Sequence, residues 1–218
     1  MSIIFRSLFM IAVMTAVAGG ATYAFFNYHK SVGGNVLGAS TEGVNIVLGG
    51  TGSETVPYFN VTDMYPGQVK TSYLVIKNPN ASIDALFRIY AEQTSSTPWA
   101  MRDKLLLQVT LNPSGYSGTQ NLLANGYKLY GAPDNILVKW EDGKKLSDLI
   151  GKEKALDNIG AWKEDDSWPL KKGYAAVYKI EVMLDKNANN DYKGAKWEGN
   201  LVIDAVQADF QDKGAVAW

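Results

Sequence analysis

Cysteine is absent from the 218 residues, and histidine occurs once, at His29. No disulfide, zinc-thiolate site or cysteine nucleophile is therefore available, and stability must come from packing, ions or neighbouring subunits. A lone histidine excludes the His-pair motifs of zinc proteases. It leaves a Ser-His-Asp triad one candidate base, on an N-terminal segment, so a secreted hydrolase is the least favoured function. An excess of positive charge is missing too: 21 basic against 22 acidic side chains give a net charge of −1, without the basic face that nucleic-acid binding needs. No tandem repeat and no Pro-, Gly- or Ser-rich linker divides the chain. What is present is ordinary for one globular core: 46% hydrophobic and 20% charged residues argue against disorder.

The one long apolar run stands at the start. A positive charge at Arg6, apolar residues from Leu8 through Ala18, small residues at Gly19 to Ala21 and Ala24 behind Tyr23 have the three-part pattern of a secretory signal. The reading is a signal peptide over 1–24, cut by signal peptidase. The chain would meet the membrane only transiently, and the mature protein would be secreted, extracellular or at the cell surface. The alternative is a retained anchor, since Leu8 to Phe26 approaches the roughly 20 residues of a spanning helix. Gly19-Gly20, Thr15, Thr22 and Tyr23 weaken that alternative. Loss of Arg6 makes the mature chain one unit more acidic.

Residues 25–42 form an N-terminal extended segment, and 43–218 the domain. Two-residue alternation and turn residues predict strands at Val44 to Leu48, Thr71 to Lys77, Ala85 to Glu92, Leu105 to Leu111, Tyr127 to Tyr130, Ile136 to Trp140 and Tyr174 to Leu184. Asn200 to Phe210 reads as the partner of Tyr174 to Leu184. Pro66-Gly67 predicts a type II turn, because proline sets the first central φ and glycine accepts a positive second one. Thr97-Pro98-Trp99 reads as the opening of a short helix, and Leu146, Leu149, Ile150, Leu156 and Ile159 predict an amphipathic helix between Lys144 and Ala161. The expected fold is mainly β, a two-sheet sandwich with one or two short helices in its connections.

Asp185, Asn187, Asn189 and Asp191 place oxygen ligands at alternate positions, as calcium loops do. The match is partial, because Asn190 and Lys196 stand where an EF-hand has its glycine and its bidentate glutamate; a solvated hairpin loop is the plainer reading. Glu164-Asp165-Asp166, flanked by Trp162 and Trp168, is a solvated acidic run or a sugar-binding surface. Adjacent acids do not hold the roughly 5–9 Å separation that glycoside hydrolysis requires. Asn60-Val61-Thr62 and Asn80-Ala81-Ser82 fit the N-glycosylation pattern.

Three stretches together carry a resemblance: Gly19-Gly20-Ala21-Thr22-Tyr23-Ala24-Phe25-Phe26-Asn27, the Gly-flanked strand VNIVL, and FNVTDMYPGQVKTSYLVIKNPNASIDALFRIYAE. Met64-Tyr65-Pro66-Gly67-Gln68 stands at a Pro-Gly turn and Ile76-Lys77-Asn78-Pro79-Asn80 at an asparagine segment. The chain resembles the TasA/camelysin family of secreted matrix-fibre proteins, or a distant branch similar to archaeal bundling pili and calcium-dependent extracellular tubes. Gln68 replaces a common aspartate, Pro79 interrupts the asparagine segment, and the Asp185 loop maps onto no family motif. Camelysin relatives have been called metalloproteases; this chain has no HExxH.

The resemblance implies a jelly-roll sandwich that polymerises head-to-tail with itself, as a biofilm-type structural protein and not an enzyme. Signal cleavage would free a donor strand, Phe25 to about Leu37, to complete the open sheet of the next subunit. Phe25, Phe26, Tyr28, His29 and Val32 are its candidate interface residues. Alternation puts Phe26, Tyr28 and Val32 on one face, with Lys30 as the exception, and Phe25, Asn27, His29 and Ser31 on the other. A disordered leader, or a strand paired within its own subunit, is the alternative for this segment. A monomeric module binding carbohydrate or protein is the alternative for the whole chain. Calcium at the Asp185 loop is the one cofactor the sequence suggests, with a solvated loop and no cofactor as the plainer reading.

Overall fold

A computed structural model describes residues 27–32, 47–50, 59–62, 64–80, 82–93, 102–151, 156–157, 169–188, 192 and 196–208. Among the described residues eleven strands, nearly all antiparallel, form two sheets. The first sheet runs in the order β1 (Asn27–Val32), β11 (Lys196–Gln207), β5 (Ala85–Gln93), β9 (Leu156–Asp157), with β3 (Phe59–Thr62) also on β11. The second runs β2 (Val47–Gly50), β4 (Val69–Asn78), β10 (Tyr174–Leu184), β6 (Leu105–Leu111), β8 (Asn135–Val138), with β7 (Lys128–Leu129) pairing parallel to β10.

Alternation within the strands builds the core between the sheets. Phe87, Ile89 and Ala91 of β5 and Leu201, Ile203 and Ala205 of β11 face Tyr178, Ile180, Val182 and Leu184 of β10, with Leu105, Leu107 and Val109 of β6 beside them. The Phe87 ring meets Tyr130 and Tyr178 edge-on, each at 6.2 Å between centroids, and so pins one sheet to the other. The outward side of β5 and β11 is buried as well: Leu86, Tyr90 and Val202 are closed to solvent.

The Tyr178 hydroxyl, in that core, has no hydrogen-bond partner among the described residues. Burial, and to a lesser degree Tyr130, raises its pKa well above 10.0. An acid whose folded pKa is raised leaves stability flat below the unfolded value and lowers it above, since only the unfolded chain then ionises. Tyr178→Phe is expected to be neutral or to stabilise by about 1 kcal/mol at neutral pH. It should also remove a loss of about 1.4 kcal/mol per pH unit above about pH 10; urea melts at pH 7 and 11 read both effects.

Expected and observed elements agree best where burial is greatest. Tyr174–Leu184 and Leu105–Leu111 match the expected bounds, and Ala85–Gln93 extends its expectation by one residue. The Pro66-Gly67 turn forms, with Gly67 at φ 82 and the Gln68 N–H donating to Tyr65 O at 2.9 Å. Gln68, the departure from aspartate, closes the turn by accepting the Tyr65 N–H on Oε1 at 3.2 Å.

Two expectations are corrected. Asn200 to Phe210 is not the partner of β10: β4 and β6 occupy both edges of β10, and the chain after Leu184 crosses to the other sheet to form β11. The helix expected between Lys144 and Ala161 is absent from the described part of that span. A 3₁₀ turn at Leu146–Leu149 is closed by Asp148 accepting the Lys145 N–H at 2.9 Å, Gly151 takes φ 98, and Leu156–Asp157 pairs with β5. Among the described residues the α-helix lies instead at α1 (Ser117–Ala124), a stretch for which no helix was expected. Residues 94–101, with the Thr97-Pro98-Trp99 opening, fall outside the described residues.

Candidate functional site

The site grows from one edge of β11. Along its other edge β11 pairs with β5 from Gly199 to Gln207. Two short strands share the near edge end to end: β3 covers Lys196 to Gly199, and β1 covers Leu201 to Val206. Six residues of β11 edge are thus completed by six residues from the N-terminal segment of the same chain. Without β1 that stretch would present a row of unpaired N–H and C=O groups, the template that edge strands offer to any extended peptide.

Register assigns a face to each position of β1. Tyr28, Lys30 and Val32 stand opposite Ala205, Ile203 and Leu201, whose side chains belong to the core. Asn27, His29 and Ser31 stand opposite Val206, Asp204 and Val202, on the outward side. The alternation expected from sequence is the one the pairing uses, with Lys30 the exception on the core side. Phe25 and Phe26 lie outside the described residues.

Beneath His29 the outward side carries charge. Asp204 Oδ2 accepts from Arg88 Nε at 2.9 Å and from Arg88 Nη2 at 2.6 Å. The two residues are 6% and 7% exposed. Arg88 is in turn opposite Asp157 of β9. Burial pushes the nearby Tyr90 phenol up, with Asp204 and Glu92 adding to the shift and Arg88 opposing it. Neither Arg88 nor Asp204 was a candidate site residue from sequence; a lone charge in each of two otherwise apolar runs, ALFRIYA and NLVIDAV, was the available signal.

The other sequence candidates are not brought to this site. Asp185 accepts the Asn187 N–H on Oδ1 at 2.9 Å, which turns the chain, and Ala188 N–H closes back on Asp185 O at 2.9 Å. Asn189 and Asp191 lie outside the described residues, as do Glu164-Asp165-Asp166, Trp162 and Trp168. Among the described residues no three or more His, Cys, Asp or Glu side chains are gathered to hold a metal. Asn60 lies in β3 and Asn80 is exposed in a turn.

A second surface lies on the outward side of the other sheet. There α1 packs Leu122 on Val75, Ala175 and Val177, leaving an open groove of about 630 Å³ lined by Lys77, Tyr116, Asn121, Asn125 and Tyr127. Tyr116 stacks on Tyr73 at 4.4 Å. No helix among the described residues is long and apolar enough to cross a membrane. A scan against known protein families finds no match, and no characterised protein matches the chain in sequence.

Proposed function

We propose that the chain is the structural subunit of an extracellular filament or tube, a jelly-roll-like sandwich that polymerises when β1 leaves its own β11 edge and completes that of a neighbour. The observation that supports this reading is the place of β1: it comes from the N-terminal segment, lies at a sheet edge and, among the described residues, pairs with β11 only; that pairing is within its own subunit, the alternative weighed for this segment, so the donor role requires β1 to exchange its own edge for a neighbour's. Exchange between copies would replace each hydrogen bond of that ladder by an identical one, so the contact needs no new surface. Repeated head to tail it does not close, and the product is a filament. Removal of residues 1–24 by signal peptidase would free the strand's N-terminal side at export.

Deleting Asn27 to Val32 from the mature chain is expected to abolish polymers in negative-stain micrographs while leaving the far-ultraviolet circular dichroism of a β protein. Unchanged filaments after the deletion reject the reading. The groove beside Tyr116 and Tyr127 favours a second one, a monomeric module that binds carbohydrate through aromatic faces and the amides of Asn121 and Asn125. Monodisperse particles at every concentration, together with glycan-array binding lost in Tyr127→Ala, would establish it instead.

A further inference from the structure

Among the described residues one charge lines the groove beside α1. Lys77 of β4 is half-buried there, with Tyr116, Tyr127 and the amides of Asn121 and Asn125. No carboxylate balances it. Residues 104–133, which hold α1 and the loops on either side of it, contain two lysines and no Asp or Glu, although the whole chain is slightly acidic. Glu181, the one carboxylate in β10, is already taken: Lys179 Nζ lies 2.8 Å from its Oε1, and Gln108 Nε2 donates to its Oε2 at 3.0 Å. Lys128, next to Tyr127 in sequence, is held over the Tyr174 ring at 5.9 Å and does not line the groove. Lys77 makes no ion pair among the described residues.

The aromatic wall of the groove is set in place by its neighbours. Tyr116 stacks on Tyr73 at 4.4 Å, 17° from parallel, and Gly118 leaves room for its ring, since a Cβ at Gly118 would run into it. The Asn125 amide donates to Asn121 O at 2.7 Å, which leaves its Oδ1 and one N–H for a partner outside the chain. Such a set suits a sugar, which offers a C–H face to a phenol ring and hydroxyls that both donate and accept. An added peptide strand has no edge to pair with here, because β4 is paired on both sides at Lys77, with Val47 and with Ala175. Nucleic acid needs several cations along its backbone, and the groove has one.

We propose that the groove binds an acidic polysaccharide, with a ring carboxylate of the sugar paired to Lys77, a sugar face on Tyr127 and hydroxyls on Asn121 and Asn125. Its volume of about 630 Å³ falls within the range of small-molecule sites, about 300–1,000 Å³. Because it is open, a polymer can lie across it without presenting an end. Selectivity comes from the charge: an exposed ion pair is worth about two- to fivefold in affinity, while Tyr127 and the amides serve charged and neutral sugars alike. The inference rests on the carbohydrate reading of this groove and is independent of the filament. β1 and β11 belong to the other sheet, so exchange of β1 involves none of the residues that line the groove.

Calorimetric titration of the mature chain with three probes tests this: oligogalacturonate, the same oligomer fully methyl-esterified, and polyglutamate of matched charge. Oligogalacturonate is expected to bind about two- to fivefold more tightly than its ester, and the difference should vanish in about 1 M salt. Lys77→Gln should bring the acid down to the ester and leave the ester unchanged. Lys186→Gln, which removes the same charge beside the Pro66-Gly67 turn at the other end of β4, should change neither. Gly118→Ala displaces Tyr116 without touching charge, in a helix where alanine is favoured over glycine, and should weaken both oligomers. Equal affinity for acid and ester in the wild type, or a preference that survives Lys77→Gln, overturns the acidic ligand and leaves the carbohydrate reading standing. No binding of either oligomer rejects both. Polyglutamate bound as tightly as oligogalacturonate, or affinity for both oligomers unchanged in Gly118→Ala, overturns the proposal too, since charge alone or another surface would then be the site.

Discussion

Arg88→Leu is expected to destabilise the chain by about 3–5 kcal/mol, because it leaves the Asp204 carboxylate buried without the guanidinium that neutralises it. Both groups are more than nine-tenths buried, and two hydrogen bonds of 2.9 and 2.6 Å converge on one oxygen. For a domain of this size that loss corresponds to a melting temperature lower by about 6–20 °C. Arg88→Lys should fall between, since an ammonium lacks the forked donors that reach Oδ2 from two nitrogens. The double variant Arg88→Leu/Asp204→Leu is expected to cost far less than Arg88→Leu alone, because no charge is then stranded. A single variant within 1 kcal/mol of wild type in urea denaturation would show that the pair is screened by solvent after all.

Asn112→Ala should cost about 3–5 kcal/mol for a different reason. Asn112 is buried at the end of β6 with φ 47. Its Nδ2 donates to Tyr130 O at 2.6 Å and to Gly131 O at 3.2 Å, and its Oδ1 accepts the Val177 N–H at 3.1 Å. One side chain thereby ties β6, β10 and the segment after β7. Alanine loses all three bonds and also tolerates a positive φ less well than asparagine. Asn112→Gly removes the backbone strain but not the lost bonds, so it should be less damaging than alanine by about 1 kcal/mol. Thermal melts of the two variants separate the contributions, and equal losses would mean that the backbone conformation is not what asparagine supplies.

The strands with one clean apolar face were legible because their period of two is a direct consequence of burial on one side. Tyr178, Ile180, Val182 and Leu184 alternate with Lys179, Glu181 and Met183, and no other structure accounts for that order. Partner choice was not legible, since alternation names a face and not a neighbour. For that reason Asn200 to Phe210 was assigned to β10, where β5 and β1 pair with its described part instead. The Lys144 to Ala161 pattern misled because a 3₁₀ turn and a short strand can reproduce i, i+3 spacing when Gly151 turns the chain between them. α1 was hidden by its own composition, with Ser117 and Gly118 in the first turn, no side-chain cap and Leu122 its one buried residue. At the candidate site the resemblance named the segment, and alternation only assigned faces to Tyr28, His29 and Val32. Asp204 and Arg88 were not, because a buried ion pair is a property of two strands distant in sequence.

If β1 exchanges as proposed, its place on its own β11 would set assembly in competition with self-pairing. An intramolecular strand sees its own edge at an effective concentration that depends on the length of the chain between β1 and β2. On the proposed exchange, self-capped subunits would dominate in dilute solution, and open chains would take over as subunit concentration passed that value, as in any ring-chain equilibrium. Lengthening the chain between Val32 and Val47 would then lower the threshold for polymer without altering one contact. On that reading, dilution would hold subunits apart and crowding would join them, so one sequence would have both a separate form and a built form.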